Sequence, residues 1–437
     1  MTTESRTQLE NEAIQICQEL IRIPSVNFGD GKGDEKAVAE HVVKLLKEVN
    51  IESTIYESAP GRCNVVARIK GTDPSRPGLV LHGHLDVVPA NADDWSVDPF
   101  AGEILDGMLW GRGAVDMKNM DAMMLATVRH WARTGYSPSR DIVLVFFADE
   151  EAGSIYGSHW MVDKHPEVFA GCTEAVSEVG GFSVTVAGGK RLYLIETAEK
   201  GIHWMKLTAH GRAGHGSVTN NENALTRLSE AIARIGNHQW PQRYSQTVKA
   251  FFARVAKETG KEYNEKDLTP LLSELGFAAR MVGATLQNTA NPTMLEAGYK
   301  ANVIPGSASA VVDGRFIPGF EDELNETIRS LIGPDITIET ITTDKALEVP
   351  FEGDLVDAMC AAILLEDPEG IPVPYVMSGG TDNKALAELG IIGYGFSPLK
   401  LAADFDFMAL VHGVDERVPL EGLTFGVRVL KDFLEHA

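Results

Sequence analysis

The chain is short of several things, and each shortage excludes a class of protein. Its 437 residues contain four cysteines. Cys17, Cys63, Cys172 and Cys360 lie far apart with no CxxC pair, so neither a zinc ribbon nor a disulfide framework is indicated. Basic residues are outnumbered 39 to 62, a formal charge of −23, which disfavours nucleic acid or an anionic membrane as partner. No apolar run approaches the ~20 residues of a membrane span. The start, MTTESRTQLENEA, is polar and acidic without an apolar signal-peptide core. The expected setting is reducing and cytoplasmic. There is no GxGxxG after a strand, no GxxxxGK and no GxSxG. Ala187-Gly188-Gly189-Lys190 is too short for a phosphate loop.

What remains is ordinary globular composition, 44% apolar and 23% charged. The length fits two or three structural units. The stretch that organises them is LVLHGHLDVVP, from Leu79 to Pro89. A short apolar strand signal turns abruptly polar at His82, His84 and Asp86. In an open α/β sheet, functional side chains collect at the carboxyl ends of strands.

Helical periodicity is expected over Leu9–Ile21 and Glu35–Val49, with Val38, Val42, Leu45 and Val49 on one face. Strands are expected at Glu52–Tyr56, Asn64–Ile69 and Leu79–Leu81, and a long loop over Ala90–Gly113. After a helix at Asp121–Trp131 comes IVLVFFA (Ile142–Ala148), apolar throughout as a central parallel strand should be, stopping at Asp149-Glu150-Glu151. A shorter strand at Ala175-Val176 leads to Glu178. Consecutive strand units thus each deliver an acid or a histidine at one edge.

From about Lys200 the texture changes to strand, helix, two strands, helix, strand, the order of a ferredoxin-like α+β unit. The expected organisation is a catalytic domain in two parts, residues 1–199 and 346–437, with residues 200–345 inserted as a second domain. A polar helical stretch over Pro241–Phe277 falls inside that insertion.

His84, Asp116, Glu151, Glu178 and His412 form one candidate set. Two imidazoles and three carboxylates suit divalent metals, zinc above all, and three carboxylates with one hydroxide balance two dications. A shared carboxylate would bridge ions about 3.5–4 Å apart. Glu150 and Glu151 need separate roles, because neighbouring side chains on an extended strand end point opposite ways. One ligates and the other stands as general base. Asp86 would accept a hydrogen bond from His84 and fix its orientation, or is an ordinary loop carboxylate.

Elsewhere, His215 sits among glycines in GRAGHGS, which permits close approach to a ligand, or is simply a histidine in a turn. Asn302 and Arg315 lie in the two later strands. Arg315 suits a substrate carboxylate, and a structural ion pair explains it equally well. Gly380 and Thr381 offer backbone amides to an anion or carbonyl, or simply form a tight turn.

With HGHLDVVP, GRGAVDMK, ADEEAGS, SEVGG, AGHGS, NVIPG, DGRFIPG, SGGTD and HGVDERV in this order, the chain resembles a known family over essentially its whole length. These are the di-zinc amidohydrolases and peptidases that include aminoacylase, succinyl-diaminopimelate desuccinylase, carboxypeptidase G and carnosinase-type dipeptidases. The resemblance implies an α/β catalytic domain with a central, mostly parallel sheet flanked by helices, and a ferredoxin-like lid that carries a homodimer contact. It implies that His84 and Glu178 hold one metal, Glu151 and His412 the other, and Asp116 bridges them. Asp86 orients His84 and Glu150 is the base. His215 stabilises the oxyanion, often from the neighbouring subunit, and Asn302, Arg315, Gly380 and Thr381 belong to the substrate's carboxylate end. The expected cofactors are two divalent ions, most readily Zn2+, with Co2+ or Mn2+ sharing the ligands.

The expected activity is hydrolysis of an amide beside a free carboxylate, in an N-acyl amino acid, a dipeptide or a C-terminal residue. A dedicated desuccinylase is the alternative within the class, and a non-catalytic metal-binding scaffold the alternative outside it. Against the former, this lid is longer than the minimal version through Trp240–Gln287. Against the latter, Glu150 is present.

Overall fold

The computed structural model of the protein describes residues 3–29 and 31–437; Met1 and Thr2 of the polar start, and Asp30, lie outside it. A ten-stranded mixed sheet runs through the larger body. Its centre is parallel: Ile142–Phe147, Gly78–His84, Cys172–Ser177 and Ile392–Gly395 lie side by side in one direction. Antiparallel strands complete both edges, with Arg62–Ile69 and Thr54–Ala59 on one side. On the other, Lys190–Glu199 pairs antiparallel with Ile392–Gly395.

The alternation of IVLVFF explains why this strand is central. Ile142, Leu144 and Phe146 enter the large core with the helices Thr3–Ile21, Lys118–Thr134 and Leu420–His436, whereas Val143, Val145 and Phe147 pack on Met161 and Phe169 across the sheet. A strand buried on both faces must be apolar at every position. The same side-to-side packing holds Leu79 and Leu81 on one face and Val80 on the other.

Several expected elements shift. The 78–84 strand extends three residues past Leu81, so His84 is its last residue rather than part of the following loop. Helix Lys36–Lys47 ends before Val49, which lies in the turn beyond it. The segment expected as a loop contains a hairpin, Glu103–Leu105 and Met108–Trp110, joined by Asp106-Gly107. Both turn residues have positive φ (51° and 76°), the Asp-Gly signal of a tight two-residue turn. Its second strand pairs with Arg417–Pro419, far along the chain.

The smaller body is a four-stranded antiparallel sheet in the order 289–297, 307–316, 201–210, 336–344. Helices Ala224–Gly236 and Glu321–Ile332 cover it with a separate core that includes Leu207, Leu228, Val312 and Ile328.

The stretch 241–287, read from sequence as part of this body, packs elsewhere. Helix Gln246–Thr259 presents Val248, Phe251, Phe252 and Val255 to the large core, and Leu271, Leu275, Met281 and Leu286 follow. Its apolar face is satisfied against the strands Lys190–Glu199 and Ile371–Met377. Burial, not sequence position, decides which body it belongs to. Where the chain passes between the bodies, the Lys384 ammonium donates to the carbonyls of Lys200 (2.9 Å) and Lys345 (2.8 Å), tying both crossings together.

Candidate active site

Three parallel strands end at the same edge and supply the first side chains. His84 closes one, Glu178 follows the next directly, and Glu150 and Glu151 follow Ile142–Phe147 by a short connection. Asp116 comes from the loop after the 103–110 hairpin, and His412 from the loop before Arg417–Pro419. The hairpin's pairing with Arg417–Pro419 brings those two loops together.

The donor atoms fall into two groups, each within 4.8 Å: His84, Asp116 and Glu178, and Asp116, Glu151 and His412. Asp116 belongs to both. Its Oδ1 is 3.1 Å from His84 Nε2 and its Oδ2 is 3.2 Å from His412 Nε2. His412 Nε2 is 2.9 Å from Glu151 Oε2, and Glu178 Oε2 lies 3.6 Å from His84 Nε2. Glu150 belongs to neither group, with its Oε2 3.9 Å from His84 Nε2.

Glu150 and Glu151 diverge for a reason other than strand pleating. They occupy a 3-10 turn, Glu150–Ala152, entered through Asp149 at φ 67°. Ser154, Val179 and His412 also hold left-handed backbones (φ 58°, 55° and 58°). Such conformations in non-glycine residues cost about 1–3 kcal/mol each and persist where the surroundings enforce them. Four of them border this one edge.

The electrostatics are those of a crowded anionic cluster. Burial, with the neighbouring carboxylates of Glu178 and Glu151, raises the Glu150 carboxyl well above its ordinary range. Burial lifts Glu178 to about 7. Hydrogen bonds to Asp116 and Glu151 lift His412 to about 10. Burial opposes protonation of His84, yet Glu178, Asp116 and Asp86 raise its pKa well above the ordinary value. Glu151 Oε1 is buried with no hydrogen-bond partner. Buried carboxylates that repel one another, two imidazoles and an orphaned oxygen are a donor set that fits divalent cations.

Asp86 meets His84 through its backbone carbonyl, while its side chain serves the neighbouring turn. His84 Nδ1 lies 3.0 Å from the Asp86 carbonyl oxygen, but 3.6 Å from its carboxylate Oδ1. The carboxylate instead accepts the backbone N–H of Glu150 and of Glu151, both at 3.1 Å, and the Asn27 amide at 2.9 Å. It positions the turn. A fully buried network continues beneath: Asn27 also donates to Asp149, and Arg62 bridges Asp149 and Glu35, each at 2.7 Å.

His82 stays outside the cluster, bonded to Asn383 Oδ1 at 2.9 Å and held near pKa 4 by burial.

Sequence reasoning missed Glu416. Its buried carboxylate takes Arg112 at 2.6 Å and the backbone N–H groups of Gly113, Val115 and Asp116 at 3.1, 2.8 and 3.2 Å. It shapes the loop that presents Asp116. Nothing local in HGVDERV signals this, because its partners lie three hundred residues away.

A cavity of about 300 Å3 opens onto the cluster, lined in part by Asp116, Glu150, Glu151, Glu178 and His412. Arg315, Gly380 and Thr381 line it as well. Arg315 stands on the smaller body, with Nε and Nη2 on Asp313 (2.7 and 3.1 Å) and its plane near the Trp204 ring. The Thr381 amide and hydroxyl are both given to Glu199 (2.9 and 2.6 Å), so neither is open to an anion. Gly380 makes room: a Cβ there would sit 2.3 Å from Lys384 Cε.

His215 and Asn302 are not brought to this cavity. They adjoin one another on the smaller body, where Gly214–His215 pairs with Val303–Ile304 and Gly216 N–H donates to the Asn302 carbonyl at 2.9 Å. Both are exposed, and His215 Nδ1 meets the Ser217 hydroxyl at 2.8 Å.

A profile of peptidase family M20/M25/M40 matches residues 80–436, which spans the whole cluster. The chain belongs to that family. It is a metal-dependent hydrolase. N-fatty-acyl-amino acid synthase/hydrolase PM20D1 of Xenopus tropicalis is 26% identical over 459 residues, covering 100% of this chain and 88% of its own. Human aminoacylase-1 is 26% identical over 439 residues, covering 98% and 97%. Among solved structures, an M20 family metallo-carboxypeptidase, Sso-CP2 of Sulfolobus solfataricus, shares the fold at TM-score 0.75 and 18% identity, over 97% of this chain and 99% of the other. No helix among the described residues is long and apolar enough to cross a membrane.

Proposed function

We propose that the protein hydrolyses an amide bond beside a free carboxylate, in an N-acyl amino acid, a dipeptide or the C-terminal residue of a peptide. The observation that carries this reading is the pair of donor groups sharing Asp116, with Glu150 outside both and Arg315 on the same cavity. Relatives named aminoacylase-1 support the amide and the carboxylate.

In this reading His84, Asp116 and Glu178 hold one divalent ion and Asp116, Glu151 and His412 the other, with zinc the resident metal. Bound there, such ions would activate a water and polarise the scissile carbonyl. Glu150 removes a proton from the attacking water and delivers it to the leaving nitrogen, a role its place beside His84 and outside both donor groups allows. Asp86, through the Glu150 amide, keeps the base aimed. Arg315 takes the substrate carboxylate. Gly380 and Thr381 shape that end of the cavity, and Thr381 acts through Glu199 rather than by direct donation.

His215 and Asn302 act from a second copy of the chain. An exposed histidine beside an exposed asparagine, away from their own cavity, is what a contribution across a homodimer requires. The functional division is a catalytic domain of residues 1–199 and 346–437 and a lid of residues 200–345, with 246–286 anchored on the catalytic core. The acidic surface keeps the enzyme off nucleic acid and anionic membranes, and it works in the cytoplasm on small molecules. Assay of the zinc-loaded protein on N-acyl amino acids and dipeptides, with and without chelator, tests the reading. Chelator-sensitive cleavage is expected; cleavage that survives removal of all metal contradicts it.

A further inference from the structure

The active-site cavity has two chemical characters. Beside the carboxylates and imidazoles, its surface is apolar, with Ile202, Met377, Phe407, Met408 and Val411 among the lining side chains. Phe182 completes this wall and stacks on Phe407 with ring centroids 4.6 Å apart at 26°. Phe182, Phe407 and Met408 also face a second cavity of about 30 Å3, closed on its far side by Leu275, Phe277 and Met281. The wall is therefore backed by the 241–287 stretch that packs on the large core.

The cations of the cavity are few. Apart from His412, the described basic side chains lining it are Arg315, Lys384 and His159. The Lys384 ammonium is committed to two carbonyls and lies 3.3 Å from Glu199. His159 faces Asp344 and Glu388 at 3.5 and 3.4 Å. Arg315 gives Nε and Nη2 to Asp313, so the cavity offers at most the rest of this one guanidinium to a substrate carboxylate. A second carboxylate on the acyl half would be buried against the apolar wall, where no described basic side chain lines the cavity to meet it.

Resting on the amide-hydrolase reading above, we infer that the acyl half of the substrate is uncharged and apolar, an aliphatic or aromatic group seated on Phe182, Phe407 and Met408. A dicarboxylic acyl group such as succinyl is rejected. Removing methylene groups from a fitted apolar contact changes kcat/KM by about tenfold or more.

The test compares kcat/KM of the zinc-loaded enzyme for N-acetyl-, N-hexanoyl- and N-succinyl-leucine. Hexanoyl is expected to exceed both others at least about tenfold. Met408→Lys, which places a cation on the wall, is expected to raise the succinyl-to-hexanoyl ratio by about tenfold or more. Phe407→Ala is expected to lower the hexanoyl-to-acetyl ratio mainly through KM, with Phe407→Leu restoring most of it. Succinyl-leucine as the best substrate, or unchanged ratios in variants that unfold at the wild-type temperature, would overturn the inference. If none of the three is cleaved, and dipeptides are not either, the amide-hydrolase reading falls. Calorimetric binding of N-hexanoyl- against N-succinyl-leucine then decides the wall's preference by itself: tighter hexanoyl binding supports it, and equal or tighter succinyl binding refutes it.

Discussion

The two bodies of the molecule hold their candidate site residues in opposite ways. On the large body, His84, Asp116, Glu151 and Glu178 are buried or half-buried and aimed by neighbours, with Asp149, Ser154 and Val179 held in left-handed conformations beside them; His412 is the exposed member of the set. On the smaller body, His215 and Asn302 stand exposed, with local partners only. A cluster that charge repulsion would otherwise scatter needs rigid support, and three parallel strand ends with the Asp86, Arg62 and Glu416 networks supply it. Residues that must meet a substrate after the bodies or subunits move need exposure instead.

That contrast can be broken at several points. The largest effect is expected at Glu150, which lies beside His84 and outside both donor groups. Glu150→Gln should lower kcat by about 10²–10⁴-fold while metal content stays at the wild-type level. Loss of metal together with activity would make Glu150 a ligand and erase its distinction from Glu151.

His215→Ala should lower kcat by about 10²–10³-fold, the usual cost of one oxyanion donor. If His215 serves a neighbour's cavity, mixing this variant with Glu150→Gln should regenerate activity through hybrid dimers in which one site is intact. A mixture as inactive as its components would place His215 in its own subunit or outside catalysis.

Glu416 sharpens the comparison from the buried side. Glu416→Ala should weaken metal binding by about 10–100-fold, as loss of outer-sphere support does, measured by competition with a chromogenic chelator. Affinity equal to the wild type would show that the loop carrying Asp116 holds its shape without it.

The smallest effect lies far from the site. Asp367 accepts Arg191 and the Tyr193 hydroxyl, bonds that outweigh burial and hold its carboxyl down to about 2. Because the folded form binds the proton less readily than the unfolded chain, this stabilisation is present above pH 4 and fades as pH falls toward 2. Asp367→Asn should cost about 1–2 kcal/mol near neutrality, and chemical denaturation should find the difference shrinking across that window. A constant difference would assign the loss to packing.

Much of the buried side was legible in the sequence, because its logic is local: an apolar strand that stops at His84, at Glu150-Glu151 or at Glu178 announces a sheet edge with chemistry on it. The order of elements from Gly201 to Asp344 was legible for the same reason. What local pattern could not carry was long-range partnership. The hairpin hidden at 103–110 showed only its Asp-Gly turn. The stretch holding the helix at 246–259 reads as polar and helical, and that its apolar face enters the large core depends on strands some fifty residues upstream and over a hundred downstream. Asp86 was placed beside His84 correctly, yet its carboxylate turned to the amides of a turn sixty residues on.

The most direct test is the metal-to-protein ratio, by plasma mass spectrometry after zinc loading, for the wild type, Glu178→Ala and Asp116→Ala. With Asp116 shared between two sites, the wild type should hold two ions, Glu178→Ala one, and Asp116→Ala at most a trace. A wild type saturating at one ion, or an Asp116→Ala variant that keeps two, would contradict the shared centre on which the proposed chemistry rests.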